Sequence, residues 1–170
     1  MMRRFDPDEL RERVETEFRA WLDDTGADSA HIEVNGIGRT QSNIAWLMRD
    51  GVKEWARIPW ELGSPQGDLR RAQALPDRGA WTWCHLWMDA ADGVLHQEND
   101  WMREPVFTQA SGDIRPGPGD CWNELKRYPR DDEFIPDWLR KGYEAELKRQ
   151  QRNARRRENY RRKREQERGD

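Results

Sequence analysis

Long apolar runs, an export signal, cysteine clusters and catalytic signatures are all missing from this chain. No stretch approaches the roughly 18 apolar residues a membrane-spanning helix needs, so no membrane partner is expected. The opening MMRRFDPDEL carries two arginines with no apolar segment behind them, and does not read as a secretory leader. Two cysteines, Cys84 and Cys121, stand in no metal-ligand spacing. Without an export signal they read as reduced thiols of a cytoplasmic protein. There is no glycine-rich phosphate loop, no nucleophile elbow, no histidine–glutamate zinc motif and no repeat period. The expectation is a protein without a cofactor, a metal or a catalytic residue that the sequence can nominate.

Aliphatic residues are scarce as well. Hydrophobic residues make up 35% of the chain and charged residues 37%, but ten tryptophans supply large rings for a core. The net charge of −3 hides a division. Residues 140–170 hold 13 basic and 6 acidic side chains, a balance of +7, which leaves −10 on residues 1–139. An acidic α+β domain over 1–139 followed by a basic helical or disordered tail over 140–170 is the expected organisation.

Asp6, Pro7 and Glu9 form a helix-start signature. Leu10, Val14, Phe18, Trp21 and Leu22 then recur on one helical face, and Gly26 is a natural stop. HIEVNGIG alternates like a strand, and Asp50-Gly51 marks a hairpin between Ile44–Met48 and Val52–Ile58. Gly63, Pro65 and Gly67 suggest a loop, with a short helix from Leu69 to Leu75. Residues 81–89 and 94–101 read as a second hairpin around Asp92-Gly93. SGDIRPGPGD reads as a long loop, and Asp120 as the cap of a short helix, CWNELKRY. A last helix opens at Ile135-Pro136. Trp138, Leu139, Tyr143 and Leu147 give it an apolar start, but from there to its end only Ala154 and Tyr160 offer apolar contact. Hairpins between helices favour an antiparallel sheet packed by an N-terminal helix and C-terminal helices.

The stretch WTWCHLWMDAADGVLHQENDW concentrates four tryptophans and two histidines. Strand alternation puts Trp81, Trp83, His85, Trp87 and Asp89 on one side, and Cys84, Leu86 and Met88 on the core side. A tryptophan side that is core or covered by a helix is favoured over an exposed platform, because large exposed apolar patches are rare. Stacking of nucleic-acid bases on such a platform is opposed by nearby Asp89, Asp92, Glu98 and Asp100. His85 and His96 lack a third ligand, and His31 stands alone in another strand, so structural histidines are favoured over a metal site. Cys84 lies on the apolar side, where burial makes a thiol inert.

Two charged features remain. One is the basic tail, with Arg155, Arg156, Arg157, Arg161, Arg162, Lys163 and Arg164 as candidates for nucleic acid, diluted by six acidic residues. The other is the acidic second hairpin. GAWTWCHLWMDAADGVLHQENDWMREPVF, with its tryptophan strand, aspartate–glycine turn and Asp100-Trp101 segment leading to Pro105 and Phe107, resembles the YezG-like bacterial immunity proteins. CWNELKRYPRDDEFIPDWL resembles their ending, and the likeness spans about residues 5–140. The resemblance implies a cytoplasmic, non-enzymatic antitoxin that binds a cognate protein toxin, often a nuclease. A surface of −10 suits a basic nuclease groove. On charge and position, Asp89, Asp92, Glu98, Asp100 and Glu104 are the candidate contacts, with Trp101 as an aromatic anchor. Nucleic-acid binding through the arginine-rich tail is the alternative.

Overall fold

The computed structural model describes residues 6–169. The first five residues, on which the leader reading partly rests, and Asp170 of the tail lie outside the described residues. Helix α1 runs over Pro7–Thr25. The Asp6 carboxylate accepts the backbone N–H groups of Asp8 and Glu9 at 2.9 and 3.1 Å, satisfying two donors at the helix start. Gly26 ends the helix at φ 61°, in the left-handed region that only glycine adopts without strain. All five residues of the apolar stripe are buried.

Five strands form one antiparallel sheet: β1 (Ser29–Ile37), β2 (Thr40–Arg49), β3 (Val52–Ala56), β4 (Trp83–Asp89) and β5 (His96–Asp100). Their spatial order is β3-β2-β1-β4-β5. Asp50 and Gly51 turn β2 into β3 with φ of 49° and 76°, the paired positive angles a two-residue hairpin requires. Register aligns Ile32 of β1 with Ala45 of β2 and Leu86 of β4 on one face. Ala30, Val34, Leu47, Cys84 and Met88 extend that face, and all are buried against the helices.

The region around Gly63, Pro65 and Gly67 is helix, not loop. Helix α2 spans Trp60–Ala72 and holds all three. Glycine costs about 1 kcal/mol in a helix and proline about 3. Buried Leu62, Pro65, Gln66, Leu69 and Arg70 offset that cost by packing a continuous stripe toward α1 and the sheet. Trp81 also departs from the alternation. The strand begins only at Trp83, so Trp81 turns into the main core, fully buried, and its Nε1 donates to Gln73 Oε1 at 3.0 Å.

The Gly/Pro-rich segment contains a small hairpin, β6 (Phe107–Gln109) and β7 (Gly112–Ile114), where a plain loop was expected. Helix α3 spans Pro118–Arg127 and is capped at Gly117, three residues before the cap expected at Asp120. Asp120 lies inside the first turn and accepts the Gly117 backbone N–H at 2.9 Å. A 3-10 turn, Asp132–Phe134, leads into α4, Asp137–Gly169. Ile37, Cys121 and Leu139 form a second small core, where α3 and α4 meet the end of β1. At Gly142 a side chain would collide with the Cys121 Sγ, so glycine sets how closely α4 approaches α3. At 1.5 Å per residue α4 is about 50 Å long. Its buried residues are Leu139 and Glu146; the outer half projects as a solvated helix. The molecule is α+β, with helices packed on an antiparallel sheet.

Candidate interaction face

Helices α1 and α2 pack on one face of the sheet, and among the described residues no helix lies on the opposite face. This corrects the expected helix cover on the tryptophan side, although Trp81 and Trp83 are buried as core residues would be. Register places one ring from every strand in a single row: Trp55, Trp46, His31, Trp87 and His96. The rings cover one another where a helix does not. His31 lies 5.0 Å from Trp46 and 5° from parallel, and Trp87 lies 5.2 Å from His96 at 17°. His85 fits beside the row, 4.7 Å from Trp87 and 5.6 Å from Trp46. His31, Trp46, His85, Trp87 and His96 are half-buried, while Trp55 at the sheet edge is 70% exposed. Lys53 Nζ sits 4.1 Å from the centre of the Trp46 ring and 4.3 Å from that of Trp55, a cation–π clamp over the edge. Trp60, at the start of α2, is 89% exposed. Trp83 is buried, with the Arg103 guanidinium 3.8 Å above its ring centre.

All three histidines belong to this face, so His31 is not isolated. Ser29 Oγ is 2.8 Å from His31 Nε2, and His31 Nδ1 is 3.1 Å from His85 Nε2, one ring donating and the other accepting. A hydroxyl, an imidazole and an orienting group in this order match a hydrolytic triad in outline. The electrostatics oppose that use. Burial, reinforced by His85, pushes His31 down to about 4 despite the counter-pull of Asp89. His85 is lowered by burial too, against Glu33 and Glu98. An effective general base has its pKa near the working pH. Ser29 is also only 6% exposed, on a strand paired along both edges. The arrangement locks β1 to β4. Sequence alternation could place each histidine on a face, but only the strand pairing brings them together.

The acidic candidates fall into two groups. Asp89 ends β4, Asp92 occupies the turn, and Glu98 is exposed on β5 opposite His85. Asp92 accepts the Val94 N–H at 3.0 Å and lies 2.9 Å from His96 Nε2. Those two bonds hold its carboxyl below the usual range, the backbone bond contributing more. Ligand atoms of Asp89, Asp92 and His96 lie within 4.8 Å of one another. His96 therefore meets carboxylates and Trp87 rather than pairing with His85. At the far end of β5, Asp100 Oδ1 accepts the N–H groups of Met102 and Arg103 at 2.8 and 2.9 Å. Glu104 pairs with Arg115 at 2.8 Å. Trp101 packs on the main core with its Nε1 buried, which suits an internal role more than an anchor for a partner.

Beneath the opposite end of the sheet lies a group the sequence did not reveal. Glu124 of α3 is fully buried and receives both of its 2.8 Å bonds to Arg70 of α2 through Nη2. Its Oε2 also accepts the Gly38 N–H at 2.5 Å, and Arg130 Nη2 lies 3.4 Å from Oε1. Arg130 further donates to the carbonyls of Ala80, Trp101 and Phe134. Both cysteines are buried; burial pushes the Cys84 thiol up to about 12 and Cys121 up to about 11. In the tail, Arg155, Arg156, Arg157, Arg161, Arg162, Lys163 and Arg164 are all exposed. Arg161 and Arg162 pair with Glu158 at 3.2 Å. No helix among the described residues is long and apolar enough to cross a membrane. No family model matches the chain, and no curated protein matches it.

Proposed function

We propose that this chain is a non-catalytic binding protein that docks a basic protein partner on its open sheet face, and that it acts as an immunity protein against a cognate toxin. The observation that carries this reading is the uncovered row of rings spanning all five strands. Protein interfaces favour aromatic anchors in a partly desolvated centre, with charge at the rim. Trp46, Trp55 and Trp87 supply that centre. Glu98, Asp89 and Asp92 supply a negative rim on the β4–β5 side, and Glu33 of the central strand adds a carboxylate opposite His85, which together would steer and orient a cationic groove. A nuclease toxin has such a groove, because it binds phosphates. The cytoplasm is the compartment this role requires.

The test is co-expression and calorimetry with the toxin domain encoded beside this gene. Full-length protein should bind and restore growth. Trp87→Ala and Glu98→Lys should each weaken binding by at least tenfold, about 1.4 kcal/mol. Wild-type protein that binds no such domain, or variants that bind like wild type, would overturn the reading.

A second reading rests on the continuous basic helix. Arg155, Arg156, Arg157 and Lys163 project from α4 without an ion pair among the described residues, a geometry suited to nucleic-acid phosphates. It requires a gel shift by the full-length protein that weakens steeply with salt and disappears when those four residues are changed to alanine. Absence of a shift at low salt eliminates it.

A further inference from the structure

A cavity of about 160 Å³ opens where the β1–β2 turn, the middle of α2 and the end of α3 converge. Arg39, Arg70, Arg71 and Arg127 line it, with Asp68 as the one carboxylate in the lining. On a body of net −10 this is a local reversal of sign. Its floor is rigidly built. Arg70 donates through Nε to the Trp81 carbonyl at 2.7 Å and passes under β1, where a Cβ at Gly36 would stand 2.8 Å from its Cδ. The Tyr128 ring has guanidiniums on it from both Arg70, 5.1 Å from its centre, and Arg127, 5.6 Å away.

Among the described residues the charge behind the cavity is not balanced. Arg70 and Arg130 share one carboxylate, Glu124, so this buried group of three carries an excess positive charge. Arg130 Nε is buried with no acceptor. Burial, and then the charge of Arg70, hold the Arg130 guanidinium below its ordinary range despite Glu124. At the rim, Asp68 answers Arg71 at 2.9 Å, whereas Arg39 is exposed and has no ion pair among the described residues. Among the described residues Arg127 makes a side-chain hydrogen bond to the Tyr128 hydroxyl alone, at 3.2 Å. An anion in the cavity would face a convergent positive field on a low-dielectric wall, where charge interactions are stronger than in water.

We propose that this cavity binds a small oxyanion of the phosphate class, with Arg39 and Arg127 closing on it from the rim above Arg70. The rim guanidiniums suit such a ligand because each presents paired N–H donors to two oxygens, while Arg70, already donating to Trp81, Gly38 and Glu124, supplies charge from the floor. The site is separate from the ring-lined sheet face and does not depend on the role proposed for that face.

The experiment is calorimetric titration of the full-length protein with inorganic phosphate at constant ionic strength, with the phosphorus resonance followed in parallel. Half-saturation at or below about 1 mM is expected. Arg39→Ala and Arg127→Ala should each weaken binding about tenfold, the scale of one lost charge-assisted bond. Asp68→Asn should strengthen it severalfold by removing the repelling carboxylate, a gain that a variant that failed to fold could not show. Replacing Arg155, Arg156 and Arg157 together with alanine should change nothing. No saturable binding up to about ten times that concentration overturns the proposal. So does binding by either rim variant as tight as that of the wild type, or loss of binding in the tail variant.

Discussion

Replacing Glu124 with alanine should be among the most damaging single changes in this molecule. The side chains of Arg70, Glu124 and Arg130 are 5%, 0% and 0% exposed, so the carboxylate answers two guanidiniums that water barely reaches. It also holds the Gly38 N–H and so ties α3 to the β1–β2 turn. Removing one member of a buried ion pair costs about 3–5 kcal/mol, because the remaining charge is left desolvated and uncompensated. Here two like charges would be left facing each other. For a chain of this length each kcal/mol shifts the melting midpoint by about 2–4 °C, so a fall of roughly 6–20 °C is expected. Stabilities of about 5–15 kcal/mol are usual, so the variant should fold at 25 °C but with little margin. Glu124→Gln keeps an acceptor for Gly38 and should fall between alanine and wild type. Urea unfolding followed by tryptophan emission measures both, with the slope checked for two-state behaviour. If both variants lose less than about 1 kcal/mol, the value of an exposed pair, the burial argument is wrong.

Three further outcomes follow from the same geometry. His31 has a folded value of about 4 against an unfolded value of 6.5, so between these pH values the unfolded chain binds the proton more readily. Its contribution to stability should be complete above about pH 6.5 and be lost as pH falls toward 4; a proton NMR titration showing His31 near 6.5 would contradict this. With Cys84 at about 12 and Cys121 at about 11, neither thiol should be alkylated at neutral pH in the native state, while both should react in urea. Rapid native labelling would refute their burial. Deleting residues 151–170 should move the melting midpoint by no more than about 2 °C, since no residue beyond Glu146 is buried in α4. A larger fall would mean that the outer helix packs on something.

Local chemistry made much of the scaffold legible. The Asp6 cap, the stripe from Leu10 to Leu22, Gly26 and the Asp50-Gly51 turn each rest on interactions within a few residues, and each stands where the sequence places it. Cys84, Leu86 and Met88 also kept their core side, because strand alternation is a property of the backbone itself. The misjudged segments share a cause. Gly63, Pro65 and Gly67 weaken a helix locally, yet burial of Leu62, Gln66 and Leu69 outweighs them. Trp81 obeys the core rather than the alternation, because the strand has not begun where it sits. Asp120 is one turn-residue among several near Pro118, and nothing local decides which one caps the helix.

What the sequence determined alone was the material: an acidic body, a basic helix, few aliphatics, many indoles and the faces on which each strand side chain would fall. Tertiary structure decided what those side chains meet. In the stretch from Trp81 to Trp101, alternation put His85 and Trp87 on a common side, but only β1 lying between β2 and β4 brings His31 and Trp46 against them. Leaving that side without a helix was likewise a matter of where α1 to α4 dock. The union of Arg70, Glu124 and Arg130 spans 60 residues of chain and has no local signature. Such contacts depend on pairing register and on burial, which are properties of the assembled chain, whereas caps, turns and alternation are settled within a few bonds of each residue.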